Sequence, residues 1–271
     1  MLVFNCTKAA AEFFTVTRQG KKQSPLEPSP NPEIVDTQYD NHPVSSWLVH
    51  CIKVQRKNVL IAMHVSTRYA MVFTGLKKGD WERFFNQWLE RLFNNMQWFG
   101  ETFEMCDEVS FSQMLNHFLR LHPKSHFCLR GDRSVQSHLN DVAWHFDYRA
   151  YQIGSLPDGQ EQCASFDEWI NSMMRSTKAH KDYFHPDEEM FLDWMNLYGE
   201  LDESEMPLIR QYFHSLRVHT SPAFSEPDSA TDLEDMMGLM FNEYYECQPS
   251  IPDNVVDFNQ ARANKNNKES H

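Results

Sequence analysis

The sequence predicts an α+β protein, with an N-terminal antiparallel sheet packed by helices, then an acidic all-helical region and a tail. Three observations carry this expectation. Residues 47–73 hold three consecutive strand-like runs, Trp47–Gln55, Val59–His64 and Arg68–Phe73, joined by short polar turns, the pattern of an antiparallel meander. Trp81, Phe84, Phe85, Trp88, Leu89, Leu92, Phe93 and Met96 then recur at the spacing of one helix face, a stripe that must lie on that sheet. Charge also changes along the chain: residues 1–150 hold 17 Lys/Arg and 15 Asp/Glu, residues 151–271 hold 8 and 23. These features place an α+β domain at 1–151, an acidic helical domain at 152–250 and a disordered tail at 251–271.

The elements follow in order. Leu2-Val3-Phe4 is a short strand, and Thr7 can cap a helix through Lys8–Phe14. Residues 18–44 carry Pro25, Pro28, Pro30, Pro32 and Pro43, too many for a helix or an interior strand, so an exposed loop is expected before the meander. Asp80 is the expected N-cap of the aromatic helix. A helix from Ser110 to Leu121 stops before Pro123, and Ser125–Leu129 reads as a further strand. Beyond Tyr151 four helices are expected: one after a Ser165/Glu168 capping box, one over Glu188–Tyr198, one from Met206-Pro207 to Leu216, and one over Leu233–Tyr245 capped by Thr231.

The segment from Asp132 to Phe146 organises the rest. As a helix it gathers Val135, Leu139, Val142, Ala143 and Phe146 on one buried face. Trp144 lies opposite, so a second body is expected to cover it, making Trp144 a structural residue. Asn140 lies off both faces, where its amide can tie a loop to the helix. His138, Asp141 and His145 share one flank, where such a row can shuttle protons or meet a neighbouring loop. They are the catalytic candidates. Lys8, Arg130 and Arg133 sit at two strand-to-helix turns and are the anion-binding candidates if those turns meet.

With 41% hydrophobic and 13% aromatic residues in 271, the chain can bury a substantial core. It lacks an apolar run of membrane length, and Met1–Cys6 has neither the basic flank nor the cleavage site of a leader, so a soluble cytoplasmic protein without a membrane partner is expected. Six isolated cysteines without C-x-x-C spacing read as reduced thiols, and no metal or cofactor motif is present. The charge split, a net +2 over residues 1–150 against −15 over 151–271, confines any nucleic-acid contact to the N-terminal domain.

Cys6-Thr7-Lys8 after the first strand, Trp47 heading the second, and the helix with Arg133-Ser134-Val135 and Asn140-Asp141 together resemble a family of small uncharacterised bacterial intracellular domains. The resemblance covers the first half and implies a domain boundary near Tyr151, with no reaction attached. The functional expectation is a binding or regulatory protein that recognises an anionic ligand, a nucleic acid or a protein partner. The alternative is an enzyme: an acetyltransferase-like acyl transferase using the Gly75–Gly79 turn, or an RNA-cleaving protein using His138 and His145.

Overall fold

The computed structural model describes residues 1–28, 38–39, 42–157, 159–177, 182–199, 201–202 and 204–220. The expected helix over Leu233–Tyr245 and the tail from Ile251 lie outside the described residues. Strand β1 (Leu2–Cys6) leads through the Thr7-capped helix α1 (Lys8–Phe14) to a small hairpin, β2 (Val16–Arg18) and β3 (Lys21–Gln23), and to β4 (Leu26–Glu27). A second short pair, β5 (Gln38–Tyr39) and β6 (His42–Pro43), precedes the meander of β7 (Ser45–Val54), β8 (Lys57–His64) and β9 (Ala70–Phe73). Helices α2 (Trp81–Thr102) and α3 (Glu108–Leu121), strand β10 (Ser125–Leu129) and α4 (Arg133–Ile153) follow, then α5 (Gln160–Asn171), α6 (Pro186–Tyr198) and α7 (Met206–Thr220).

The main sheet has the order β4-β10-β1-β7-β8-β9. The expected meander is antiparallel, pairing Trp47 with His64 and Ala62 with Met71. The other half is parallel: β1 lies between β7 and β10, and β10 pairs with β4. The sheet is therefore mixed, because the long excursions of α1 to β6 and of α2 and α3 return the chain to parallel neighbours. The proline-bearing segment contributes only two residues to the sheet, at its edge, where a missing N–H is tolerated.

Alternating side chains put a core on each face. Phe4, Trp47, Ala62 and Met71 point to the face covered by α1, α2, α3, α6 and α7, and Trp88 meets Phe4 and Trp47 edge to face at 5.0 and 5.1 Å. Leu48, Ile61 and Val72 point to the other face, under α4 and α5. The expected boundary at Tyr151 falls inside α4, and the helices beyond it pack into the same two cores; residues 1–218 form one compact unit. The expected split into an α+β half and a separate helical half is thus corrected: the acidic helices complete the two outer layers.

Helix α5 closes the sheet. Its Asn171 amide accepts from the Ala70 N–H and donates to the Ala70 carbonyl, both at 2.7 Å, and the Asp167 carboxylate accepts from the Val72 N–H at 2.8 Å. Arg91 of α2 donates to the Val72 carbonyl and lies 3.2 Å from Asp167. Side chains thereby occupy the outward backbone groups of edge strand β9 that another strand would otherwise pair with.

Three local expectations are corrected. The Ser165/Glu168 pair is not a capping box, because α5 begins at Gln160 and Ser165 Oγ donates back to the Glu161 carbonyl in mid-helix. Asp80 precedes α2 but turns its carboxylate to the Lys77 N–H, away from the helix. Trp144 is 60% exposed and stacks on Tyr148, with no second body over it among the described residues, while Val135, Leu139, Val142 and Phe146 are buried as expected. We therefore expect Leu139→Ala to cost about 3 kcal/mol and Trp144→Ala less than about 1 kcal/mol in urea denaturation. Comparable losses for the two would contradict this one-sided packing.

Candidate functional site

The sequence-expected anion residues sit at two neighbouring turns. The Arg130 N–H donates to the Cys6 carbonyl, so the turns after β10 and β1 do lie side by side. From there the chain diverges: α1 packs on one face of the sheet and α4 on the other. Lys8, Arg130 and Arg133 are exposed. Both helix starts are already capped, by Thr7 Oγ1 on the Ala10 N–H and by the Asp132 carboxylate on the Ser134 and Val135 N–H groups. The void beside this turn, bounded by Asn5, Ser46 and Asp132, measures about 10 Å³, room for a water and not for an oxyanion.

The turn before α2 is likewise committed. The Gly79 N–H donates to the Phe13 carbonyl, that of Asp80 to the Lys77 carbonyl, and that of Lys77 to the Asp80 carboxylate. These three donors are not available to a pyrophosphate. Asn140 is exposed and its side-chain carbonyl accepts from Gln136 Nε2 at 2.8 Å, a pairing along its own helix.

The His138, Asp141 and His145 flank is where side chains gather, around two arginines that the sequence reading did not single out. Arg68 lies in the turn between β8 and β9 with a left-handed backbone (φ 61°), a conformation a non-glycine residue adopts only when its surroundings hold it. It is 7% exposed, and its Nη2 donates to Ser134 Oγ at 3.2 Å. Arg175 follows α5, where its backbone forms a two-way antiparallel bridge with Phe184. It is 4% exposed and donates from Nη1 to Asp141 at 3.2 Å. That leaves Nε of Arg68 and both Nε and Nη2 of Arg175 buried without an acceptor among the described residues.

Electrostatics agree with this geometry. Burial lowers the pKa of both guanidinium groups; nearby Asp132 opposes the shift at Arg68 and Asp141 opposes it at Arg175. His138 hydrogen-bonds the Ser176 backbone, and burial together with the charges of Arg175 and Arg68 holds its imidazole below the ordinary histidine pKa. His145 faces Asp141 at 3.8 Å on the other side. His138 and His145 are two helical turns apart, about 10 Å along the axis, too far to act together on one phosphate. Among the described residues no three His, Cys, Asp or Glu side chains converge on a common point. The arrangement presents planar donors and a positive field, the chemistry of oxyanion recognition.

Neither arginine has a motif around it. Arg68 reads as a polar residue before the third strand and Arg175 as a cation after a helix; only the fold brings both to α4. The described cysteines, Cys6, Cys51, Cys106, Cys128 and Cys163, are free thiols, and among the described residues no helix is long and apolar enough to cross a membrane.

No curated protein and no solved structure matches this chain. A family model described as a domain of unknown function, DUF6933, matches residues 3–189, from β1 through α5 into the start of α6 and so across both arginines. The chain belongs to that family.

Proposed function

We propose that this protein is an anion-recognition module whose ligand engages Arg68 and Arg175 beside the N-terminal half of α4. One observation carries the reading: three buried guanidinium nitrogens have no acceptor among the described residues. An unsatisfied buried donor costs about 1–3 kcal/mol, more when charged, and native proteins rarely keep several together without a use for them. A phosphate or carboxylate satisfies such donors in pairs, because the planar guanidinium matches its oxygens two at a time. The positive field that discourages protonation of His138 favours an anion at the same place.

The test is thermal unfolding in sodium phosphate against sodium chloride of equal ionic strength. A ligand at a hundred times its Kd adds about 2.7 kcal/mol to the folded state, so phosphate is expected to raise the Tm by several degrees beyond chloride. Arg175→Gln is expected to abolish that difference. Equal melting temperatures in the two salts for the unmodified chain would refute the assignment.

A further inference from the structure

Next to the two arginines, α4 holds out aromatic rings that nothing in the core uses. Trp144 and Tyr148 are 60% and 51% exposed, yet their rings are parallel to within 4° at a centroid distance of 5.5 Å. Their neighbours fix that orientation. His145 meets Trp144 edge to face at 4.9 Å and is itself set against Trp169, while Gln152 donates to the Tyr148 hydroxyl.

An exposed indole free to rotate would be an ordinary surface residue; two rings stacked on one another hold their outer aromatic face as a platform already ordered before anything binds. The platform is continuous with the arginine cluster. Asp141, which receives Arg175, lies one turn before Trp144 and two turns before Tyr148 on the same side of the helix. The separation along the axis is about 5–10 Å, the reach of a sugar between its phosphate and its base.

We propose that the ligand of this site is a nucleoside monophosphate, its phosphate on Arg68 and Arg175 and its base stacked on Trp144 and Tyr148. The inference rests on the anion-recognition reading above. Each half answers a different feature: paired guanidinium donors suit a phosphate, and exposed aromatic faces stack bases of any identity. Charge decides between a mononucleotide and a polymer. Asp141 and Asp147 belong to the same helix as the platform, so a run of phosphates is repelled where a single phosphate answers the local arginines.

Isothermal titration of the full chain with AMP, adenosine and inorganic phosphate tests this, alongside the Trp144→Ala variant, whose exposed side chain is not needed for folding. AMP is expected to bind at least roughly tenfold more tightly than phosphate, the gain of stacking one base. Trp144→Ala is expected to bring AMP down to the affinity of phosphate while leaving phosphate binding unchanged. If phosphate binds but AMP is no tighter, or if Trp144→Ala leaves AMP unaffected, the nucleotide assignment is overturned and the anion site stands. If neither phosphate nor AMP binds, the anion site itself is overturned and this inference with it. An RNA oligonucleotide that outcompetes AMP at Trp144 would also overturn the commitment to a mononucleotide.

Discussion

Asn171→Ala is expected to destabilise the protein by about 4 kcal/mol, although it removes only a small polar side chain. The Asn171 amide is the partner of both the N–H and the carbonyl of Ala70, and it also donates to the Asp167 carbonyl at 2.7 Å. Alanine leaves the Ala70 pair buried at the edge of the sheet, and each orphaned group costs about 1–3 kcal/mol. The site cannot refill with water cheaply, because Asn171 and Ala70 are both fully buried. Asn171→Asp keeps the acceptor for the Ala70 N–H but replaces the donor to its carbonyl with a charge, so it should be no better at neutral pH. Equilibrium urea denaturation measures both variants, and a loss below about 1 kcal/mol for Asn171→Ala would show that α5 does not hold the edge by these bonds.

Arg91→Met should cost about 4 kcal/mol at pH 8 and about 1 kcal/mol less at pH 5. Arg91 and Asp167 are a buried ion pair, with the guanidinium also 4.2 Å from the centroid of the Phe73 ring. Removing one partner of such a pair costs about 3–5 kcal/mol, because the other charge is left behind. Burial pushes the Asp167 carboxyl up to about 7, against the downward pull of Arg91 and the Val72 N–H. Its folded pKa is thus raised above the ordinary carboxylate value of 3.8, so its contribution is fully present below that value and is lost as pH rises through 7.

Without Arg91 the carboxyl rises further and prefers its neutral form. At pH 5 both proteins hold the carboxyl neutral, whereas at pH 8 the native group is ionised beside Arg91 and the variant's has no such partner. Asp187 and Asp193 are also pushed up to about 6, but they titrate in both proteins and cancel in the comparison. An equal loss at pH 5 and pH 8 would mean that Asp167 is not the group responsible.

Features written in consecutive residues were legible in the sequence. Period-two runs on either side of the Gln55-Arg56 turn identify β7 and β8, and the stripe from Phe84 to Met96 identifies α2, because the information lies within a few residues of where it acts. The parallel half of the sheet was not legible. Phe4 pairs with Trp47 and Phe127, and nothing in Leu2–Cys6 points to partners 43 and 123 residues away.

Trp144 was misread for a related reason. A helical wheel assigns a residue to a face, but whether another layer covers that face depends on where α5 docks, and α5 docks along the side of His145 and leaves Trp144 open. Arg68 and Arg175 were missed because charge in a turn usually means solvent. Their burial follows only once the β8–β9 turn and the segment after α5 are folded against α4. His138 and Asp141 of α4 are the groups beside which the two arginines come to lie.

The central place of β1 governs when the protein can fold during synthesis. The first strand to be made has both its neighbours much later in the chain, β7 at residues 45–54 and β10 at 125–129. The far edge waits longer still, for Asn171. A ribosome adding about 5–20 residues per second therefore leaves one edge of Leu2–Cys6 unpaired for several seconds to tens of seconds, until β10 emerges. Such long-range pairings slow folding, and the apolar first strand and meander are exposed meanwhile. Chaperone dependence during translation, detectable as nascent chains bound to a holdase until a length near 180 residues, is the cellular counterpart of that strand order.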